Sequence, residues 1–279
     1  MSFFEPITHR LRQGCQTMAF PAGSPPALPD RHGGALRVEA ARCAADCAAC
    51  VPVCPVQAIA RTPGNPVALD LGKCIFCGEC VAACPTRAIT QTNDYRLAVR
   101  RREDLLLGSP GAEEVRLAAA LTGKMKSLFG RSLRLRQVSA GGCNACEADV
   151  NVLGTIGWDL GRFGIQFVAS PRHADGLLVT GAISRNMELA LKKTWDAVPA
   201  PKLVIAVGAC AIAGGPFAGN PEVLQGAGSV LPVDLYIPGC PPHPLTILDG
   251  LLRLLDRLPA TEASGLKAPS GSEVSGHTI

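Results

Sequence analysis

The sequence predicts two domains: a small α+β unit built around clustered cysteines, then an α/β domain with a parallel sheet. Three observations carry this. Eight of the thirteen cysteines fall between Cys43 and Cys84, in two similar halves. Downstream, apolar β-rich runs alternate with helical stretches, the pattern of a doubly wound sheet. The composition, 47% hydrophobic and 18% charged over 279 residues, is that of a core-forming chain. That length leaves room for roughly two domains. With only 4% aromatic residues, the core must be aliphatic.

The totals also exclude. A net charge of +4 gives no concentrated basic face, so nucleic acid is not an expected partner. The N-terminal MSFFEPITHRLRQG has neither an apolar signal core nor a cleavage site, and no run of apolar residues is long enough to span a bilayer. Thirteen cysteines without an export signal point to metal rather than to disulfides.

Residues 1–35 read as an N-terminal docking segment and linker. Phe3, Phe4, Ile7 and Leu11 recur at helical spacing, with Pro6 fitting only a first turn. The apolar face suits a partner, a membrane surface, or packing on its own domain. Cys15 stands outside every motif, and His9 and His32 read as solvated. Residues 21–34 are rich in Pro and Gly, as a linker is.

Residues 36–95 hold the repeat. Cys47, Cys50, Cys54, Pro55, Ala58 and Ile59 recur thirty residues later as Cys77, Cys80, Cys84, Pro85, Ala88 and Ile89. The second half is C-x2-C-x2-C-x3-C-P; the first has one more residue between Cys43 and Cys47. Three thiolates at such intervals wrap one face of an iron–sulfur cube, and the cysteine before proline reaches the other cube. Zinc ribbons, the competing explanation, pair two C-x2-C knuckles instead of two quartets.

Residues 96–136 carry ten Arg and Lys against four acids, a local excess of +6. Within them EEVRLAAALTGKMKSLFG, acidic early and basic late, predicts a connecting helix. The charge fits an acidic partner, anionic lipid or plain solvent. Residues 137–258 alternate. GIQFVASP, ADGLLVTGAI, KLVIAVGAC and VDLYIPGCPP read as strands, NMELALKKTWDAV and HPLTILDGLLRLLDRL as helices. Cys210 and Cys240 each follow a strand, and Cys143 and Cys146 precede a helix. This is where ligands of a doubly wound sheet gather. No dinucleotide or nucleotide-triphosphate loop occurs, so no nucleotide is expected. Residues 259–279 are small and polar, as disordered tails are.

The repeat resembles the bacterial two-cluster ferredoxin. That resemblance implies an α+β ferredoxin-like fold. Cys43, Cys47, Cys50 and Cys84 would hold one [4Fe-4S] cluster, and Cys54, Cys74, Cys77 and Cys80 the second. The longer first loop departs from the pattern in geometry, not in ligand count. GGCNACE, VGACAIAGG and LPVDLYIPGCPP are similar to the small subunit of [NiFe] hydrogenases and the related 20-kDa (B-type) subunit of complex I. This implies a flavodoxin-like domain without flavin, in which Cys143, Cys146, Cys210 and Cys240 hold a third [4Fe-4S] cluster. Complex I subunits carry adjacent cysteines at the first pair, whereas hydrogenase small subunits carry C-x2-C before an acid, as in Cys143-Asn144-Ala145-Cys146-Glu147. Gly228 stands where the complex I signature has Asp.

The mixture resembles the small subunits of formate hydrogenlyase and energy-converting hydrogenases, fused to a ferredoxin domain that is commonly separate. It implies an iron–sulfur electron-transfer subunit of an oxidoreductase complex with no substrate-converting site of its own. Its expected partners are a [NiFe] catalytic subunit or its complex I homologue, with further electron-transfer and membrane subunits. Its expected place is peripheral, on the cytoplasmic face of the cell membrane. A quinone-reducing complex I-like enzyme and a free ferredoxin-type carrier are the alternatives. Glu147 reads as a helix cap or subunit contact in preference to a cluster tuner or proton relay, His173 as a structural hydrogen-bonder, His243 as a neighbour of the third cluster, and Arg185 as facing a large subunit.

Overall fold

The computed structural model describes residues 4–29, 31–44, 46–61, 67–108, 114–129 and 132–258, with only the backbone of Lys124 and Leu128. The tail 259–279, read from the sequence as disordered, and Phe3 lie outside the described residues.

Helix α1 (Glu5–Gln13) opens the chain, with Pro6 in its first turn, where a missing amide costs nothing. None of its residues is buried, and Phe4, Ile7 and Leu11 are 65%, 51% and 76% exposed. The apolar face is therefore largely open to solvent. The stretch after it is no free linker. Met18 N–H donates to the Gly157 carbonyl, and Arg162 donates to the carbonyls of Met18 and Phe20. Phe20 is buried against Tyr95.

The cysteine-rich domain is made of short pieces. Strand β1 (Leu36–Val38) pairs antiparallel with β4 (Ile89–Gln91). Strand β2 (Ile59–Ala60) pairs with β3 (Ala68–Asp70), and β3 with β5 (Leu106–Leu107), all antiparallel. A single turn of helix, α2 (Glu79–Ala82), carries Cys80. Residues joining the cysteines must follow their sulfurs, so little chain is left for regular structure.

The stretch 96–136 departs from the expected connecting helix. Among the described residues of the expected helix, only α3 (Gly123–Phe129) is helical, and residues 114–122 are not. Tertiary bonds outcompete helix propensity here. Ala118 N–H donates to the Ala98 carbonyl and Leu121 N–H to that of Leu254. Val99 exchanges backbone hydrogen bonds with Tyr236 while β5 joins β3, so the segment is stitched to both domains.

The second domain has a five-stranded, wholly parallel sheet: β6 (Leu133–Ser139), β7 (Ile165–Phe167), β8 (Gly176–Thr180), β9 (Leu203–Val207) and β10 (Leu235–Ile237). Its order is β10-β9-β8-β6-β7, the flavodoxin-like arrangement. Strands β8 and β9 are buried at all five positions, as a sheet covered on both faces requires. The expected strands at β7 to β10 are present. Strand β6 was not expected; it starts at Leu133, before the boundary at 137, and its alternation of Leu with Arg134 and Arg136 masks a strand flanked by two others.

Helices α4 (Ala145–Val152), α5 (Arg185–Ala197), α6 (Ala209–Ala213) and α7 (Pro244–Leu254) connect and close the sheet. Helix α7 is buried on every side, not on the leucine face alone. The 94–100 strap covers its other face: a Cβ at Gly250 would stand 2.7 Å from Ala98 Cβ, so only glycine admits the strap. Asp249 and Arg253 of α7, buried, form a bidentate ion pair, and the Asp94–Arg96 pair lies within electrostatic reach.

Candidate functional site

All twelve cysteines expected as ligands gather into three groups. Cys43, Cys47, Cys50 and Cys84 line one small cavity between Val67 and Ile89. Cys54, Cys74, Cys77 and Cys80 line another, beside Ile59 and Leu69. In each half the cysteine before proline therefore crosses to the other half's trio.

The repeat governs how those sulfurs are held. Ala58 N–H donates to Cys54 Sγ, and Ala88 N–H to Cys84 Sγ, each at 3.2 Å. The residues just before them, Gln57 and Arg87, have φ of 50° and 52°, which turns the following amide back towards the sulfur. Phe76 N–H donates to Cys74 Sγ, also at 3.2 Å, from a residue at φ 57°.

The third group stands at the carboxyl ends of the parallel strands. Cys143 lies in the loop after β6, and Cys146, in the first turn of α4, is buried. Cys210 starts α6 just after β9, and Cys240 follows β10. Gly208 and Ala209 N–H groups donate to the carbonyls of Ile237 and Gly239, joining the Cys210 and Cys240 loops. Two glycines make room for sulfur. A Cβ at Gly208 would lie 2.6 Å from Cys146 Sγ, and one at Gly215 2.7 Å from Cys210 Sγ.

Several buried thiols resist ionisation as they stand. Burial, and then the charges of Cys210, Glu147, Cys240 and Cys143, push the Cys146 thiol far above its usual range. Burial first and neighbouring cysteines second push Cys74 up to about 12, and Cys80 and Cys210 to about 11. Cys84 alone is lowered: burial raises it, but bonds from the Ile89, Ala88 and Thr86 amides and the Thr86 hydroxyl outweigh this. Four adjacent thiolates are tolerable only around a positive core. None of the thirteen cysteines forms a disulfide. Among the described residues, no three His, Cys, Asp or Glu side chains close on a single-ion site. Four-thiol donor sets, amides aimed at sulfur and glycine-lined space fit [4Fe-4S] clusters.

A cavity of about 320 Å³ lies between the domains. Ile75 and Phe76, from the Cys74–Cys77 loop, line one side, and Cys240 and His243 the other. His32, read from the sequence as solvated, closes this cavity. Its ring meets that of His243, and its Nε2 is buried without a hydrogen-bond partner among the described residues. His243 accepts the Leu245 amide on Nδ1, capping α7, and its ring also meets Trp158.

Other residues depart from expectation. Glu147 is no helix cap. Its Oε1 accepts from Ser139 Oγ at 2.6 Å and Thr180 Oγ1 at 2.8 Å, tying α4 to the ends of β6 and β8. Burial raises its pKa, but these bonds and a backbone amide bring it below the ordinary value. Arg185 is the first residue of α5 and donates to the Pro221 carbonyl. His173 is exposed, as are Cys15 and His9. Sequence reasoning missed Arg61, whose guanidinium donates to Cys43 Sγ; the signal was the extra residue after Cys43, which needed a partner.

Both domains have counterparts among known proteins. The 4Fe-4S binding domain family matches residues 67–90. The family described as NADH ubiquinone oxidoreductase, 20 Kd subunit, matches residues 143–254. The B-type NADH-quinone oxidoreductase subunit of Clostridium beijerinckii is 45% identical over 118 residues, covering 42% of this chain and 70% of that protein. A probable membrane-bound hydrogenase subunit of Pyrococcus furiosus is 40% identical over 130 residues, 47% of this chain and 78% of its own length. Formate hydrogenlyase subunit 7 of Escherichia coli is 42% identical over 142 residues, 51% of this chain and 54% of that protein.

Proposed function

Because the chain belongs to the family of the 20-kDa subunit of NADH ubiquinone oxidoreductase, we propose that it relays electrons through three [4Fe-4S] clusters within a complex I-like [NiFe] hydrogenase. One observation carries the reading: twelve cysteines, spread over two domains, gather into three four-thiol nests.

Cys43, Cys47, Cys50 and Cys84 hold the first cluster, Cys54, Cys74, Cys77 and Cys80 the second, and Cys143, Cys146, Cys210 and Cys240 the third. Such clusters, when bound, supply one-electron transfer. Contacts between the nests support an order. Cys80 of the second nest feels the charge of Cys50 in the first. Phe76 of the second faces Cys240 of the third across the shared cavity. The first nest is thus the outer end and the third the inner. Amide bonds hold the Cys54, Cys74 and Cys84 sulfurs in place, and the strap stitched to both domains holds the spacing constant.

The third nest then meets a catalytic partner that carries the nickel–iron site. The C-x2-C spacing of Cys143 and Cys146, followed by Glu147, supports a hydrogenase partner. Among the described residues no helix is long and apolar enough to cross a membrane. Peripheral attachment to the inner membrane face would pass through partner subunits, and the exposed face of α1 suits such a contact. A quinone-reducing complex is the second reading, favoured by the 45% identity to an NADH-quinone oxidoreductase subunit.

The test is purification with native partners, iron and nickel analysis, and assays of viologen-linked hydrogen evolution and quinone reduction. About four irons per nest, nickel and hydrogen evolution are expected. Quinone reduction without nickel would favour the second reading. An iron content unchanged by Cys143→Ser would leave the third nest empty and sink both.

A further inference from the structure

The two halves of the cysteine repeat match in ligands but not in charge. Ile59 and Ile89 are equivalent, so Arg61 in the first half corresponds to Gln91 in the second. Arg61 directly follows β2, and Gln91 ends β4. Each side chain turns back to the cysteine loop of its own half. Gln91 stands over Gly78, between Cys77 and Cys80: a Cβ there would meet Gln91 Oε1 at 3.4 Å. Arg61 grips the loop between Cys43 and Cys47. One guanidinium nitrogen donates to Cys43 Sγ at 3.6 Å and to the Cys47 carbonyl, and the other to the Ala44 carbonyl at 2.8 Å.

This is the loop that is one residue longer than its counterpart. The longer loop presents the carbonyls of Ala44 and Cys47 to Arg61, and a planar fork of donors binds both at once. The same group sets a permanent positive charge against a ligand sulfur. At the equivalent place the second half has a neutral amide.

We infer that Arg61 is a positioning residue for the first nest and holds the reduction potential of that nest's cluster above that of the second. The inference rests on the cluster ligation proposed above. A cluster that gains an electron becomes more negative, so a fixed cation beside its ligand favours the reduced form. Arg61 is partly buried, which limits screening by salt. An electron entering from outside then rests on the outer cluster and leaves it inward by an uphill step. The first nest thereby stores charge between an external donor and the inner nests.

The test is a redox titration of the full chain with its native partners. Each [4Fe-4S] signal is followed by electron paramagnetic resonance, in wild type, Arg61→Gln and Arg61→Lys. Arg61→Gln copies the residue of the second half. It is expected to keep its iron, to lower one midpoint by at least the ~59 mV of a tenfold one-electron shift, and to leave the other two unmoved. Arg61→Lys keeps the charge and is expected to keep most of the potential. Unshifted midpoints in Arg61→Gln overturn the inference. Equal shifts in both variants also overturn it, because loop shape would then be the cause. If Arg61→Gln loses about four irons per chain, Arg61→Lys decides. A loaded Arg61→Lys with the wild-type midpoint supports the inference, and a depleted or shifted one overturns it. Failure of the ligation itself appears separately, as a low iron count in the wild type.

Discussion

The imidazole of His32 meets that of His243 edge to face, with ring centroids 5.4 Å apart. The pair joins a loop that precedes Cys43 to the loop that carries Cys240. Burial lowers the pKa of both rings, opposed at His32 by Asp94 and reinforced at His243 by His32. Because both folded values lie below 6.5, the stability they confer is present above that pH and lost as pH falls through the lowered values. The thermal midpoint of wild type is expected to fall between about pH 7 and 5 more steeply than that of His243→Asn. That variant keeps an acceptor for the Leu245 amide, and parallel curves for the two proteins would refute the expectation.

Buried Asp249 behaves in the opposite sense. Burial lifts its pKa from 3.8 to about 6, against the hydrogen bonds and charge of Arg253. With the folded value raised, its contribution is full below the unfolded value and is lost as pH rises through about 6. Asp249→Ala strands a buried guanidinium and is expected to cost about 3–5 kcal/mol. The double change Asp249→Leu with Arg253→Met should cost far less, since an apolar pair needs no desolvation. Chemical denaturation of the three proteins measures both.

Glu147 satisfies two hydroxyls at once, so truncation and amidation should differ. Glu147→Ala removes the acceptor of Ser139 and leaves Thr180 only the longer bond to the Val138 carbonyl, and is expected to cost about 1–3 kcal/mol. Glu147→Gln retains a carbonyl oxygen in that place and should lose less. A differential scan of both variants, loaded with iron, gives the comparison.

Gly208, at φ 90°, faces Cys146 Sγ with no room for a methyl group. Gly208→Ala should displace that sulfur and lower iron by about four per chain. Signals of the first two clusters should persist. Full iron content in the variant would mean that Cys146 is not held where the glycine places it.

Much of this protein is legible in its residue order. Ligand spacing is local, so the quartets in the first domain follow from C-x2-C intervals and the crossing cysteine before proline. Strands β8 and β9 announce themselves as unbroken apolar runs because both their faces are covered. The tertiary structure decided what depends on distant segments. It made a strand of Leu133–Ser139 despite its arginines, and kept residues 114–122 out of the helix that acid-to-base order suggested. It brought His32 to His243 and Arg61 to Cys43, pairs that no periodicity links. Backbone patterns record which face a residue turns to its own element. Which element lies opposite is settled only when sheets, strap and loops bury one another, and it is there that the three groups of thiols are assembled.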